Sequence, residues 1–301
     1  MITLGIVLSL LLLSQAVKLT QTMFSPWKVT SSKSYLWNGD FNLNFLIRAK
    51  EISLVSFNPK DQKINFINIP DATFLEVARG FGKWQVSSIY DLGGDDLLRA
   101  SLSQFFGLPI EGILDFTGKF SKMPTDSLIM QLKDPFSLVS ILQNLRSDLT
   151  PVELIRLKMG MSRVRFDKLN QVNLESKGIL EKTGLADGTE VLTVDSQRLD
   201  SAISNMVDPV IKAEHKTIAV FNSTDHPQLA VKAARIISNI GGDVIITTNS
   251  EKRLEKTVIS GEKSKTLDRL WQIFGDPNLA EEVSSRAQIN VFLGEDFASS
   301  L

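Results

Sequence analysis

Two apolar, β-rich runs separated by a short polar turn constrain this chain more than any other feature. Ile52 to Phe57 is followed by Asn58-Pro59-Lys60-Asp61-Gln62, and Lys63 to Ile69 then resumes the strand pattern. Asn-Pro breaks extended structure, so the two runs fold back on each other as a hairpin. A pair this apolar belongs near the centre of a sheet, and the second run ends at Pro70-Asp71-Ala72-Thr73.

The rest of the chain supplies enough material for about two domains. It has 301 residues, 43% of them hydrophobic and 22% charged, which is the balance of packed cores and excludes a disordered protein. A net charge of -1 removes the basic excess of a general nucleic-acid binder. There are no cysteines, so disulfides and thiolate metal sites are excluded, and two histidines, His215 and His226, do not make a histidine-rich metal centre.

Residues 2–17 form an uncharged apolar run closed by Lys18. As a helix the run spans about 24 Å against about 30 Å of hydrocarbon, and Leu19, Met23, Phe24 and Trp27 extend it toward an interfacial tryptophan. A retained membrane anchor is the expectation, with a cleaved signal peptide as its rival because Ser14-Gln15-Ala16 suits a small-x-small cleavage site. Charge alone places Lys18, Lys28 and Lys33 on the cytoplasmic side.

Beyond a polar linker with Ser31 to Ser34 and Asn38-Gly39, strands are expected at Phe41 to Ile47 and Leu108 to Phe116, and a helix at Leu97 to Phe106. Gly80, Gly82, Gly93 and Gly94 read as loop residues, since no full phosphate-binding glycine pattern surrounds them. Asp91, Asp95 and Asp96 could hold a hydrated Mg²⁺, but helix capping and dipole complementation explain Asp95-Asp96 more simply. Thr150-Pro151-Val152-Glu153 is a capping box opening a helix to about Met159. Asp187-Gly188 signals a hairpin into Glu190 to Val194, followed by a helix over Ser196 to Met206. From His215 the order is strand (Lys216 to Phe221), helix (Pro227 to Ile240), strands (Asp243 to Thr248 and Glu255 to Ser260), helix (Lys265 to Phe274) and strand (Gln288 to Leu293). That βαββαβ order implies a small sheet covered on one face by two helices. Asn222-Ser223-Thr224 fits a glycosylation pattern but reads better as a loop, with Asp225 capping the next helix.

The stretch from Asn58-Pro59-Lys60 through Ile67-Asn68-Ile69-Pro70-Asp71-Ala72-Thr73, together with Leu108 to Phe116, resembles the LytR-CpsA-Psr (LCP) family over about residues 41 to 120. Ile218-Ala219-Val220-Phe221-Asn222-Ser223-Thr224, Ala230 and Val291-Phe292-Leu293-Gly294-Glu295-Asp296 resemble the LytR C-terminal domain. The resemblance implies an α/β fold: an N-terminal membrane helix, an LCP-like mixed sheet with flanking helices, then a small βαββαβ α/β sandwich domain. It divides the chain into 1–24 (anchor or signal), 25–40 (linker), 41–212 (LCP-like) and 213–301 (LytR C-terminal-like). The family moves glycopolymers from lipid pyrophosphate carriers to the bacterial cell wall, so it also implies an extracytoplasmic, single-pass envelope location, against the charge rule.

The family's chemical positions are changed here. Asp71 stands where the family has its pyrophosphate-gripping arginine, Ala72 where it has aspartate, and Lys50 where it has a cation-binding aspartate. A guanidinium on developing phosphoryl charge is worth roughly a thousandfold or more in rate. A carboxylate in its place repels an anion about 4 Å away by about 4 kcal/mol at an effective dielectric near 20. The expectation is a binding or accessory module with no catalytic residues, no metal site and no cofactor, whose phosphate contacts come from Arg48, Lys50, Arg99, Arg163 and Arg165. The alternative is an active phosphotransferase with a rearranged arginine set, drawn from these arginines and Arg79, and using Mg²⁺. Expected partners are the membrane through residues 2–17, and wall glycopolymer, polyprenyl-linked intermediates or envelope proteins, without nucleic acid. Transcriptional attenuation has no DNA-reading helix to support it.

Overall fold

The computed structural model describes residues 35–175, 178–184, 188–275 and 285–300. The expected anchor or signal segment lies outside the described residues. Among the described residues, no helix is long and apolar enough to cross a membrane.

The hairpin forms as expected. β1 (Leu43–Arg48), β2 (Ile52–Asn58) and β3 (Lys63–Ile69) are consecutive antiparallel strands, with Ile52 opposite Ile69 and Asn58 opposite Lys63. Every residue of β2 is buried. The Asn58 side chain closes the turn, its Oδ1 accepting from Asp61 N at 2.8 Å and its Nδ2 donating to Asp61 Oδ2 at 3.1 Å. β6 (Gly112–Phe116) runs parallel to β1, β7 (Leu145–Ser147) pairs with β6, and β8 (Leu169–Val172) runs parallel to β3, giving a mixed six-stranded sheet in the order β7-β6-β1-β2-β3-β8.

Alternation along the strands divides the sheet into two buried faces. Leu43, Phe45, Ile47, Val55 and Phe57 pack under α2 (Thr125–Lys133), α3 (Leu138–Leu142) and α4 (Pro151–Ser162). Leu46, Ile52, Leu54, Ile67 and Ile69 face α1 (Val86–Phe106) and the hairpin of β4 (Phe74–Val77) and β5 (Gly82–Gln85). That hairpin and the first half of α1 are additions to the sequence expectation. Gly93 and Gly94, read as loop residues, do break the helix: both leave helical φ/ψ, and Gly94 takes φ 68. The strand expected from Leu108 begins at Gly112.

The capping box holds and does more than cap. Thr150 Oγ1 accepts from Glu153 N, while Glu153 Oε2 accepts from Thr150 N at 2.8 Å; the same carboxylate, fully buried, also accepts from Trp37 N at 2.7 Å. Trp37 is 1% exposed and meets Phe57 edge-on at 6.1 Å. The segment expected as polar linker up to residue 40 therefore ends in a packed tryptophan.

β9 (Leu180–Gly184) and β10 (Glu190–Val194) form the expected hairpin, and α5 (Ser196–Ile203) follows with Asp195 as its cap. After α6 (Pro209–Glu214) come β11 (Thr217–Asn222), α7 (Leu229–Asn239), β12 (Asp243–Asn249), β13 (Val258–Gly261), α8 (Lys265–Phe274) and β14 (Ile289–Leu293), closed by α9 (Glu295–Ser300). The sheet order is β12-β11-β14-β13, and α7 and α8 share one core with Ile218, Val220, Ile289, Val291 and Leu293. Two helices on one face is the expected arrangement.

The two sheets are joined by two ion pairs, one of them buried and the other half-buried. Arg269 of α8, 1% exposed, donates to Glu111 Oε1, to Tyr35 Oη at 2.8 Å and to Asn42 O at 3.3 Å. Burial opposes its charge, but Tyr35 and Glu111 together more than offset this and hold the guanidinium pKa above its usual value, while burial pushes the Tyr35 phenol up so that it stays protonated. Arg235 of α7 grips Asp200 at 2.6 Å and donates to Gln104 O at 2.9 Å and Phe105 O at 3.0 Å, the last carbonyls of α1. Asn239 donates to Phe106 O at 3.2 Å.

Candidate functional site

Parallel pairing of β1 with β6 puts Arg48 directly beside Asp115, on the face turned toward α1. The two side chains form an ion pair at 2.5 Å, and the Arg48 guanidinium lies 3.5 Å from the centre of the Tyr90 ring. Its Nε is buried without a hydrogen-bond partner. The helix break at Gly93-Gly94 brings both halves of α1 to this spot: Tyr90 comes from the first, Asp95, Asp96 and Arg99 from the second. Arg99 pairs with Asp148 at 2.6 Å and with Asp96 at 2.6 Å, and Asp148 Oδ1 accepts from Ile113 N at 2.7 Å.

Two guanidinium groups thus face four carboxylates, and the cluster is acidic. Partial desolvation raises the Asp95 pKa; Asp115 and Asp148 push the same way, and Arg48 and Arg99 oppose them. A carboxyl whose folded pKa lies above its unfolded value favours folding when protonated and opposes it when ionised. Asp95→Asn is therefore expected to raise Tm at pH 7, with the gain shrinking as pH falls through the carboxylate range. Thermal melts across that range check the sign.

The sequence-derived phosphate contacts do not converge. Arg48 and Arg99 belong to the cluster, and Lys50 is exposed in the adjoining β1–β2 turn. Arg163 lines a groove with Phe57 and Pro59, at the other end of the sheet. Five strand steps separate Arg48 from Leu43, the residue opposite Phe57, which is about 17 Å. Arg165 is exposed and pairs with Asp167 at 3.1 Å. Arg79 sits on the β4–β5 turn at φ 61. Regular strand geometry, which sequence spacing cannot show, keeps the two groups apart.

Asp71 is exposed in the loop after β3, and Ala72 O accepts from Leu192 N at 3.0 Å, which ties that loop to β10. Glu51, beside Lys50, accepts from Asn68 Nδ2 at 2.9 Å and from Thr125 N at 3.3 Å. Among the described residues, no three His, Cys, Asp or Glu side chains gather as a metal-binding group. Asp96 is already committed to Arg99.

A cavity of about 380 Å³ lies where the end of α1, β10 and α7 meet the β4–β5 hairpin. Phe74, Leu75, Phe105, Leu199 and Ile236 give it apolar walls, and its charged lining is Lys83, Lys232, Arg235 already paired with Asp200, and Glu76, which stands opposite Lys83 in the β4–β5 hairpin. Neither lysine carries a sequence signal, because their proximity depends on how the two sheets dock. In the C-terminal unit, Asn222 is buried and its Oδ1 accepts from Thr224 N and Oγ1, which makes Asn222-Ser223-Thr224 a structural loop. Asp225 does not cap α7; it pairs with Arg253 at 2.6 Å, and Gln228 takes the cap position at φ 63.

Residues 216–297 match the family model described as LytR cell envelope-related transcriptional attenuator. No curated protein sequence matches the chain. Among solved structures, the chain is similar to TagT of B. subtilis (15% identity, 60% of this chain and 96% of that one, TM-score 0.43). It is also similar to B. subtilis TagV (12% identity, 55% and 95% covered, TM-score 0.44). A further match is a LytR-CPS2A-psr family protein, YwtF (TagT), with bound octaprenyl pyrophosphate lipid (13% identity, 58% and 93% covered, TM-score 0.42). The family-model match bears out the resemblance to the LytR C-terminal domain over residues 216–297.

Proposed function

We propose that this chain is an envelope protein of cell-wall glycopolymer assembly, one that binds a polyprenyl-linked or glycopolymer anion without transferring it. The proposal takes residues 41–212 as an LCP-like unit and 213–301 as the LytR C-terminal-type unit, held outside the membrane by the apolar N-terminal run. One observation carries the non-catalytic reading: Arg48 and Arg99 are already matched by Asp115, Asp148 and Asp96. A pyrophosphate entering there would have to displace carboxylates and meet Asp95. Preorganised positive charge, the usual source of phosphoryl-transfer rate, is missing from that cluster.

The cavity beside Lys83 and Lys232 suits an amphipathic anion better, with apolar walls for a prenyl chain and ammonium groups for its phosphate. The full chain incubated with a polyprenyl pyrophosphate and Mg²⁺ is expected to bind it and release no phosphate. Lys83→Ala or Lys232→Ala should each weaken binding roughly tenfold, the value of one charge-assisted contact, and the double variant roughly a hundredfold. Turnover abolished by replacing Arg48, Arg79, Arg99, Arg163 or Arg165 would overturn the reading in favour of a transferase. A C-terminal reporter active only outside the cytoplasm should be active; a cytoplasmic signal would sink the envelope role.

A further inference from the structure

Helix α4 is apolar on two sides. Leu154, Leu157 and Met161 are buried in the core, while Val152, Ile155 and Met159 are 58%, 48% and 56% exposed. A helix with apolar residues all round is normally covered all round. The exposure is also concentrated: of the large hydrophobic residues left in solvent, Leu36, Met130, Phe136 and Phe166 join those three on α4 or on segments next to it. Phe136 is 93% and Phe166 76% exposed. Lys158 of α4 fixes the Phe136 segment by donating to Asp134 O at 2.6 Å and to Ser137 Oγ at 3.0 Å.

We propose that this face rests on a bilayer surface containing anionic phospholipid, and the inference depends on the membrane-anchored reading above. Two observations select lipid as the occupant. The N-terminal segment joins the body at this face: Trp37 N donates to Glu153 and Arg156 of α4 donates to Trp37 O, with Leu36 exposed beside them. Seventeen residues, 18–34, separate that junction from the apolar run, so an inserted run tethers this side of the molecule to the membrane. The second observation is charge. Exposed Lys60, Arg163, Arg165 and Lys168, with half-buried Arg156, flank the apolar side chains, against exposed Asp61, Asp134 and Asp167. Apolar side chains ringed by basic ones form the composition of an interfacial surface, and an excess of cations favours anionic headgroups.

The absence of cysteine makes the test direct. Met159→Cys and, as a control on the distant C-terminal sheet, Ile245→Cys are introduced separately into the full chain and labelled with bimane. Each is reconstituted into phosphatidylcholine–phosphatidylglycerol vesicles containing lipid brominated near the headgroup. Quenching several-fold greater at position 159 than at 245, reduced by Phe136→Asp with Phe166→Asp, is the expected result. Equal quenching at the two positions in protein that floats with the vesicles would overturn the docking face and leave the anchor intact. Failure to float would overturn both. A 159 probe shielded without lipid, in proportion to protein concentration, would identify a second copy as the occupant and overturn the lipid assignment.

Discussion

Replacing Arg269 by methionine should destabilise the protein by about 3–5 kcal/mol, the usual consequence of leaving one member of a buried ion pair without its partner. Glu111, 8% exposed, would keep its bonds from Asn44 N at 2.8 Å and Tyr35 Oη at 3.5 Å but lose the guanidinium that balances its charge. Tyr35 Oη and Asn42 O would lose a donor at the same time. Because Arg269 belongs to α8 and Glu111 precedes β6, the loss falls on the junction of the two sheets. Urea unfolding should therefore change from merged transitions to separated ones. Adding Glu111→Gln to Arg269→Met should recover about 2 kcal/mol, since it removes the stranded charge but keeps an acceptor for Asn44 N. A double variant no more stable than Arg269→Met would show that the pair is not the unit of stabilisation.

Trp37→Ala should cost about 3–5 kcal/mol, the range for removing a buried aromatic side chain from a core that collapses only partly. The indole is enclosed, packs on Phe57 and donates from Nε1 to Phe41 O at 2.9 Å. Trp37→Phe keeps most of the apolar contact and should cost roughly 1 kcal/mol for the lost hydrogen bond, plus any residual gap. Equilibrium denaturation separates the two outcomes. An alanine variant as stable as the parent would mean that residues 35–41 are not integral to the folded body.

The sequence made some of this visible and hid the rest for definable reasons. The β2–β3 pair and the βαββαβ order are readable because long apolar runs are bounded by turn residues such as Asn58-Pro59, signals that act within a few residues. The capping box at Thr150 was equally local, yet its Glu153 also accepts from Trp37, 116 positions away in the chain. β4 and β5 leave no clear sequence signal because they are four-residue strands around Gly80 and Gly82, too short for an alternating pattern to stand out. The break in α1 disguised its first half as loop. Arg48 is legible as a candidate, but its neutralisation by Asp115 is a matter of strand register, and the approach of Tyr90 depends on the first half of a helix that Gly93-Gly94 disguises as loop.

The way α1 ends has a consequence for biosynthesis. Its final carbonyls, on Gln104, Phe105 and Phe106, are satisfied by Arg235 and Asn239, and Arg235 lies 131 positions downstream of Gln104. At 5–20 residues per second, a ribosome needs roughly 7–26 s to make that stretch. Throughout that interval the helix terminus has only its local cap, Gly107 N to Gln104 O and Leu108 N to Ser103 O, and water, and the apolar face beside it lacks α7. The nascent first half is thus a client for protection by other proteins until the second half arrives to close it.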